Sequence, residues 1–366
     1  MRFYHLIIVS FFIALFSSNA FAIQQHSVIE DLENIISQGK SAASEKYEEI
    51  KIKIEREPDI ILPILLSKAT SPQLSESDLA IYIWAIGLTK SPKAIEEIIK
   101  LSTGRKSELV KSNVYRALAS IGGEKAGEYL FEQLDQISDQ TMRYNIIDLL
   151  AQIQYKPALP QTIEILRQNP SQLYWQTIFI FGKYGDIAIP FLLENIGAED
   201  QNVRTNAIMA LGQWLVPTEA LIPFKNQFWQ ETSPQIRGLI LSSLEKINTD
   251  LSDVHSFSQT VIKKETDENI KRFAQETINN FENMKQHIED FKSKKREDSE
   301  AFNAEYNKIL NTLGKRGDYQ VLSVSSSQGD EQKLKKLRET ILQRNSDECF
   351  YDYQKINNII ILNRLI

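Results

Sequence analysis

The chain of 366 residues contains a single cysteine, Cys349. One cysteine excludes an internal disulfide, so the hydrophobic core alone must stabilise the fold, and a chain of this length can bury a sizeable core. We expect Cys349 to be a buried, unreactive thiol. The alternative for an unpaired thiol is a bond to a second molecule.

Residues that carry catalysis are also scarce. Only four histidines occur, none in an HxxxH or HExxH spacing and none followed by glutamate, so the sequence predicts no metal site. It contains no GxSxG motif and no glycine-rich phosphate loop. A nucleophilic triad assembled from distant residues stays open, because chain order does not reveal which side chains meet. We predict a non-enzyme without catalytic residues, cofactor or metal.

An excess of positive charge is likewise missing. The 42 lysines and arginines face 48 aspartates and glutamates, which gives a net charge of −6 at pH 7. Nucleic-acid-binding proteins carry basic patches, and anionic lipids attract basic segments. We therefore expect no nucleic-acid partner, and we expect the partner to be a protein or a peptide.

The first 22 residues have the pattern of a signal peptide. Arg2 precedes an apolar run from Leu6 to Phe16, and Ala20-Phe21-Ala22 supplies the small residues that signal peptidase recognises. An uncleaved membrane anchor is the alternative, but the run is shorter than the roughly 20 residues that span a bilayer. We predict cleavage before Ile23 and export, with a periplasmic location preferred over secretion and no transmembrane segment after cleavage.

What the chain does contain is a block that recurs about every 32 residues, as in Val203-Arg204-Thr205-Asn206-Ala207-Ile208. Core-like residues follow an apolar anchor after three, four, seven and eight positions, which is the period of a helix. The anchors are Asp78 (or Leu79 in its place), Val110, Met142, Leu173, Val203, Ile236 and Ile270. Three positions before them stand Ser75, Ser107, Asp139, Pro170, Asp200, Ser233 and Asp267. All of these but the proline are favourable N-caps, so they predict where the helices begin.

A second helix is predicted after each anchored one. Alanine and proline recur at its start, as in Ala188-Ile189-Pro190 and Ala220-Leu221-Ile222-Pro223, and proline is tolerated in the first helical turn. Each unit is then an αα-hairpin that buries its apolar face only by stacking on its neighbours. A repeat of this length predicts an α-solenoid.

These features resemble HEAT repeats over about 75–283, and the short unit is similar to the bacterial HEAT-like repeats also seen in phycobilin lyases. The resemblance implies an all-α fold, a HEAT-like α-solenoid of about seven stacked antiparallel helix pairs. It also implies that the second helices line a concave surface. Residues 23–74 are predicted to form divergent capping helices, and residues 284–366 a charged helical C-terminal region.

A basic residue follows most anchors. It has two interpretations, a basic stripe for an acidic partner or a structural ladder of salt bridges and capping contacts between hairpins. We favour the ladder, in which each exposed pair contributes only about 0–1 kcal/mol but helps to fix the register. Its members are Lys111, Arg143, Arg204, Arg237 and Lys271, with the N-cap aspartates Asp139, Asp200 and Asp267.

Three aromatic residues depart from the repeat pattern. Tyr174 stands where the basic residue is expected, Trp175 follows it, and Trp229 lies on a second helix. They are the candidate partner-binding residues, because aromatic side chains dominate binding hot spots. The alternative is aromatic packing between neighbouring repeats or under a loop, which we favour slightly for all three.

The sequence therefore predicts an exported, non-catalytic scaffold that binds a protein through the solenoid surface. Two alternatives stay open. One is a lyase- or hydrolase-like enzyme with a pocket between repeats, and the other is a structural component of an envelope assembly.

Overall fold

The structure is a computed structural model, and it describes residues 28–35, 44–167, 174–247 and 251–297. The predicted signal peptide, Pro170, Leu173, Cys349 and the chain beyond 297 lie outside these residues. Within them every regular element is a helix and none is a strand, which confirms the predicted all-α class. The chain divides into two compact units, Met1–Ile153 and Gln154–Ile366.

The first unit consists of helix pairs. Its helices are α1 (28–35), α2 (Ser44–Arg56), α3 (Pro58–Ala69), α4 (Glu76–Leu88), α5 (Ile95–Ser102), α6 (Glu108–Ile121), α7 (Glu124–Leu134) and α8 (Gln140–Gln152). The anchored helices α4, α6 and α8 pack side by side, and the helices α3, α5 and α7 each contact the anchored helix that follows.

The second unit repeats this arrangement. Its helices are α9 (Leu159–Arg167), α10 (Tyr174–Tyr184), α11 (Ile189–Asn195), α12 (Gln201–Met209), α13 (Leu221–Gln230), α14 (Pro234–Ile247), α15 (Leu251–Lys264) and α16 (Glu268–Glu297). The anchored helices α10, α12, α14 and α16 pack in sequence, and the second helices α11, α13 and α15 each contact the anchored helix that follows.

The predicted caps and anchors explain why the anchored helices begin where they do. The side chains of Ser75, Ser107, Asp139, Asp200, Ser233 and Asp267 accept hydrogen bonds from first-turn N–H groups. These bonds satisfy donors that have no partner inside the helix. Most anchor residues are buried. In α4, Leu79 rather than Asp78 is the residue buried in the hydrophobic core.

The end of the second unit departs from the predicted series of hairpins. α16 is one helix of 30 residues, so the anchor Ile270 begins a single long helix and not a helix pair within the described residues. The stretch 268–297 contains neither glycine nor proline, and therefore nothing in it interrupts a helix. α16 also runs through residue 284, where the charged C-terminal region was predicted to begin.

Another departure lies at the end of α12, which continues as a π-helix from Ala210 to Leu215. Val216 adopts a left-handed conformation, its N–H donates to the Leu211 carbonyl over 2.8 Å, and Pro217 follows. The wider turn accompanies the burial of Trp214, whose ring meets Phe179 edge to face at a centroid distance of 5.1 Å. Hydrophobic periodicity does not reveal such a local change of helix type.

Neighbouring anchored helices approach closely at glycine. A Cβ atom on Gly87 of α4 would lie 2.7 Å from the Cα atom of Ala117 in α6. A Cβ atom on Gly212 would overlap the side chain of Ser243 in α14. Both glycines therefore allow the close packing of two helices, because a side chain at either position would require the facing helix to move.

The Gly87→Ala substitution tests this packing. Alanine favours a helix by about 1 kcal/mol over glycine, but its methyl group meets the backbone of α6, and we expect a net destabilisation of about 1–3 kcal/mol. Chemical denaturation followed by circular dichroism measures it.

Gly197→Ala is the control, because its Cβ atom would meet only the flexible Gln227 side chain, at 3.3 Å. A free energy of unfolding that is higher in Gly87→Ala than in the unmodified chain would contradict the packing role of Gly87.

Candidate functional site

Two of the predicted basic residues form buried ion pairs that join the two helices of one hairpin. In α12, Arg204 donates from Nε to Glu231 Oε2 over 2.8 Å, and in α14 Arg237 pairs with Glu265. The Glu231 and Glu265 side chains are only 1% and 7% exposed. Both glutamates directly follow a second helix, so each pair ties the start of an anchored helix to the end of the second helix in the same hairpin.

Each glutamate also caps the turn that follows it. The Glu231 carboxylate accepts from the N–H groups of Thr232 and Ser233 over 3.0 and 2.9 Å, and Glu265 accepts from Thr266 and Asp267 over 2.8 and 3.0 Å. Burial acts to raise the pKa of Glu231, but the Arg204 guanidinium and these N–H donors outweigh it and hold the pKa below the ordinary value.

The sequence prediction did not name these glutamates. Their signal is a Glu-Thr pair five residues before an anchor, which occurs only before Ile236 and Ile270. The predicted aspartates have a different role, since Asp139, Asp200 and Asp267 accept hydrogen bonds from the first turn of their own helices.

Within the described residues, the remaining members of the predicted ladder form no ion pair with another helix. Arg143 donates to the carbonyl of Leu134 at the end of α7 over 2.7 Å and to that of Ile137 in the loop before α8 over 3.3 Å. Lys111 pairs with Glu108 at 3.2 Å and Lys271 with Glu268 at 2.7 Å, each within one helix. The charged groups of these three residues are therefore already engaged in contacts, and the side chains of Arg204 and Arg237 are largely buried. The five basic residues of the predicted ladder do not form a free basic stripe.

A groove of about 360 Å³ in the first unit bears on the enzyme alternative. Its lining includes Glu108 and Lys111, which pair with each other, and Asp139, which caps α8. Burial raises the pKa of Tyr115 in the same groove to about 12, so its phenol is neutral at pH 7. In this groove Glu108 and Lys111 engage each other, Asp139 is engaged as a helix cap, and Tyr115 is un-ionised.

The described residues contain no group of three or more histidine, cysteine, aspartate or glutamate side chains placed to hold a metal ion. Among the same residues, no helix has the length and hydrophobicity that crossing a bilayer requires.

Of the three candidate aromatic residues, Trp229 is the one whose side chain is described. Tyr174 and Trp175 begin α10, and their side chains lie outside the described part of the chain. Trp229 stands near the end of α13 and remains 44% exposed. An exposed tryptophan offers a large apolar surface with few rotatable bonds, which is the typical chemistry of a binding anchor.

Trp229 belongs to an aromatic cluster with Phe228 of α13 and Phe257 of α15. The Trp229 ring meets Phe228 at a centroid distance of 5.0 Å and an angle of 87°, and Phe257 at 6.0 Å and 66°. Phe228 and Phe257 contact each other at 5.5 Å and are themselves buried. Edge-to-face contacts of this kind favour one ring orientation, so the cluster presents Trp229 in a fixed position.

Cations surround the aromatic cluster. The Lys264 Nζ atom lies 5.7 Å from the centroid of Trp229, and the Lys225 Nζ atom lies 5.6 Å from that of Phe257. On the buried side the Arg237 guanidinium covers Phe228 at 4.6 Å. Because Arg237 also pairs with Glu265, it links the ion pair of the α14/α15 hairpin to the aromatic cluster.

The Glu231→Gln substitution tests the buried pair. Loss of the carboxylate leaves the largely buried Arg204 without its counter-ion, and we expect destabilisation of about 1–3 kcal/mol at pH 7. Because the folded-state pKa of Glu231 is lowered, the advantage of the unmodified chain should be full above pH 4.5 and disappear as the pH falls through the folded-state pKa. Urea denaturation across this pH range measures it.

Glu96→Gln is the matched control, because Glu96 pairs with Lys125 on the surface, where solvent screens the attraction and the pair adds little stability. Equal losses of stability in the two variants would contradict the role given to the buried pair.

Comparison with known proteins agrees with this architecture in the first unit. Residues 63–151, from α3 into α8, match the family model described as HEAT repeats. No curated protein matches the chain. The helix pairs and this match together support a HEAT-repeat family.

Proposed function

We propose that this protein is an exported, non-catalytic scaffold that binds a protein or peptide through its solenoid surface. HEAT repeats commonly mediate protein interactions. The observation that carries the proposal is the fixed, half-exposed Trp229 on the second helix α13. Binding energy in protein interfaces concentrates in such rigid aromatic residues.

Aromatic packing alone is the competing account of Trp229. Packing accounts for Phe228 and Phe257, which are buried, but it leaves Trp229 44% exposed to water. Burial of that remainder by a partner gains about 25 cal/mol for each Å² of apolar surface. Since the cluster already fixes the ring, little conformational entropy is lost on binding.

The export part of the proposal rests on the N-terminal pattern of Arg2, the apolar run and Ala20-Phe21-Ala22. A signal peptide would be removed before the chain folds. The periplasm is the proposed location, and the alternative is release into the medium.

Affinity purification tests the scaffold. The tagged full chain is expressed in its native host, and proteins recovered from the envelope fraction are quantified by mass spectrometry. We expect a partner that the unmodified chain retains and that Trp229→Ala retains at least about tenfold less.

The matched control is Leu109→Ala, since Leu109 is an equally exposed apolar side chain, also 44%, on α6. It should retain the partner like the unmodified chain. Recovery of no protein, together with turnover of a small molecule by the purified chain, would refute the scaffold function.

Export is tested on the same material. We expect the N-terminal peptide of the protein from the envelope fraction to begin at Ile23. A chain that retains Met1 and remains in the cytoplasmic fraction would refute export and leave the binding function untouched.

A further inference from the structure

We propose that the aromatic cluster and its neighbouring lysines bind an acidic peptide, in which an apolar side chain is flanked by carboxylates. The inference rests on the proposed scaffold function and adds the chemistry of the partner. Three features of the second unit lead to it, namely an apolar strip on α13, uncompensated positive charge on α15, and the engagement of the nearby carboxylates.

The apolar strip extends beyond Trp229. Ile222 lies seven positions earlier on α13 and is 68% exposed. Residues seven apart share one face of a helix and lie roughly 10 Å from each other along its axis. Between them lie Lys225 and the exposed polar Asn226. The strip thus offers two separated apolar contacts, a spacing that suits an extended segment of peptide.

The positive charge lies at the C-terminal end of α15. Lys263 and Lys264 are exposed, and neither forms an ion pair within the described part of the chain. The Lys264 ammonium instead lies near the Trp229 ring. At an exposed site this cation–π contact contributes only about 0.5–1 kcal/mol, so it leaves the ammonium available to a stronger partner.

The carboxylates of the same region do not neutralise these lysines. Glu231 and Glu265 are buried against Arg204 and Arg237, Asp253 pairs with Lys225, and Asp267 accepts hydrogen bonds from the first turn of α16. Within the described residues no carboxylate forms an ion pair with Lys263 or Lys264, although the whole chain has a net charge of −6. A carboxylate placed beside Trp229 would pair with Lys264 without displacing a resident acid, whereas a lysine placed there would be repelled.

Two other occupants fit less well. A second copy of the chain that docked through the same face would bring Lys263 and Lys264 close to the same lysines of its partner, and like charges repel. A nucleic acid typically engages roughly six to ten phosphate contacts in a salt-dependent complex, whereas this surface offers two unpaired lysines and an apolar strip. An acidic peptide uses both the strip and the charge.

Fluorescence anisotropy of the full chain with two labelled synthetic peptides tests the inference. In one, leucine and phenylalanine alternate with aspartate and glutamate, and in the other lysine replaces every acid. We expect saturable binding of the acidic peptide that weakens as salt is added, because salt screens exposed charges. The basic peptide should not bind.

Variants locate the binding site. Trp229→Ala should weaken binding of the acidic peptide at least about tenfold, and the double substitution Lys263→Glu, Lys264→Glu at least about fivefold. The double lysine variant alters only exposed side chains, so it still tests the binding site if Trp229→Ala destabilises the fold. The matched controls are Leu109→Ala and Lys106→Glu, which change an exposed apolar residue and an exposed lysine of the first unit and should bind normally.

Unchanged binding of the acidic peptide in both site variants, or equal affinity for the basic peptide, would overturn the inference. Two further measurements test the other occupants. Competition by single-stranded DNA at equal concentration would overturn it, and so would a dimer, detected by analytical ultracentrifugation, that the Trp229→Ala substitution dissociates. The scaffold function is tested separately. If the chain retains a protein partner in the affinity purification but does not bind the acidic peptide, only the proposal that the partner is acidic is refuted.

Discussion

The stacking of anchored helices is the constraint on which the rest of this structure depends. A single αα-hairpin cannot bury its apolar face, so every repeat requires a neighbour at close range. Gly87 against Ala117 in the first unit and Gly212 against Ser243 in the second show how close that approach is. Where the backbones come this near, one methyl group matters, and the apolar residues at the helical period fill the space between helices.

The buried Arg–Glu pairs add specificity to this packing in the second unit. Arg204 and Arg237 reach the glutamate that ends the next second helix, and each glutamate also holds the turn that leads into the following anchored helix. A buried pair of this kind gives little net stability against a hydrophobic replacement, but leaving one partner alone is costly. The pairs therefore favour one arrangement of the two helices within a hairpin, and the contact of Arg237 with Phe228 joins one repeat to the next.

Much of the fold was predictable because its signals are local. N-cap side chains and the helical period of apolar residues identified the anchored helices, and the structure confirms the all-α class. Other features depend on contacts that a repeat pattern does not encode. The π-helix at Ala210–Leu215 accompanies the burial of Trp214, and Glu231 and Glu265 acquire their role only when the two helices of a hairpin pack against each other. The length of α16 instead follows from an uninterrupted helical sequence. The binding role of Trp229 stays a prediction, because exposure shows that a surface is available and does not show what covers it.

Site-specific photo-crosslinking in the native host tests the central claim most directly, namely that the face of α13 around Trp229 contacts a partner. A photoreactive amino acid replaces Asn226, which is exposed on α13 between Ile222 and Trp229, or Ile52, which is exposed on α2 of the first unit. The account predicts that position 226 crosslinks to a protein through a segment rich in aspartate and glutamate and that position 52 does not. Crosslinking from position 52 alone, or from neither position to any protein, would contradict it.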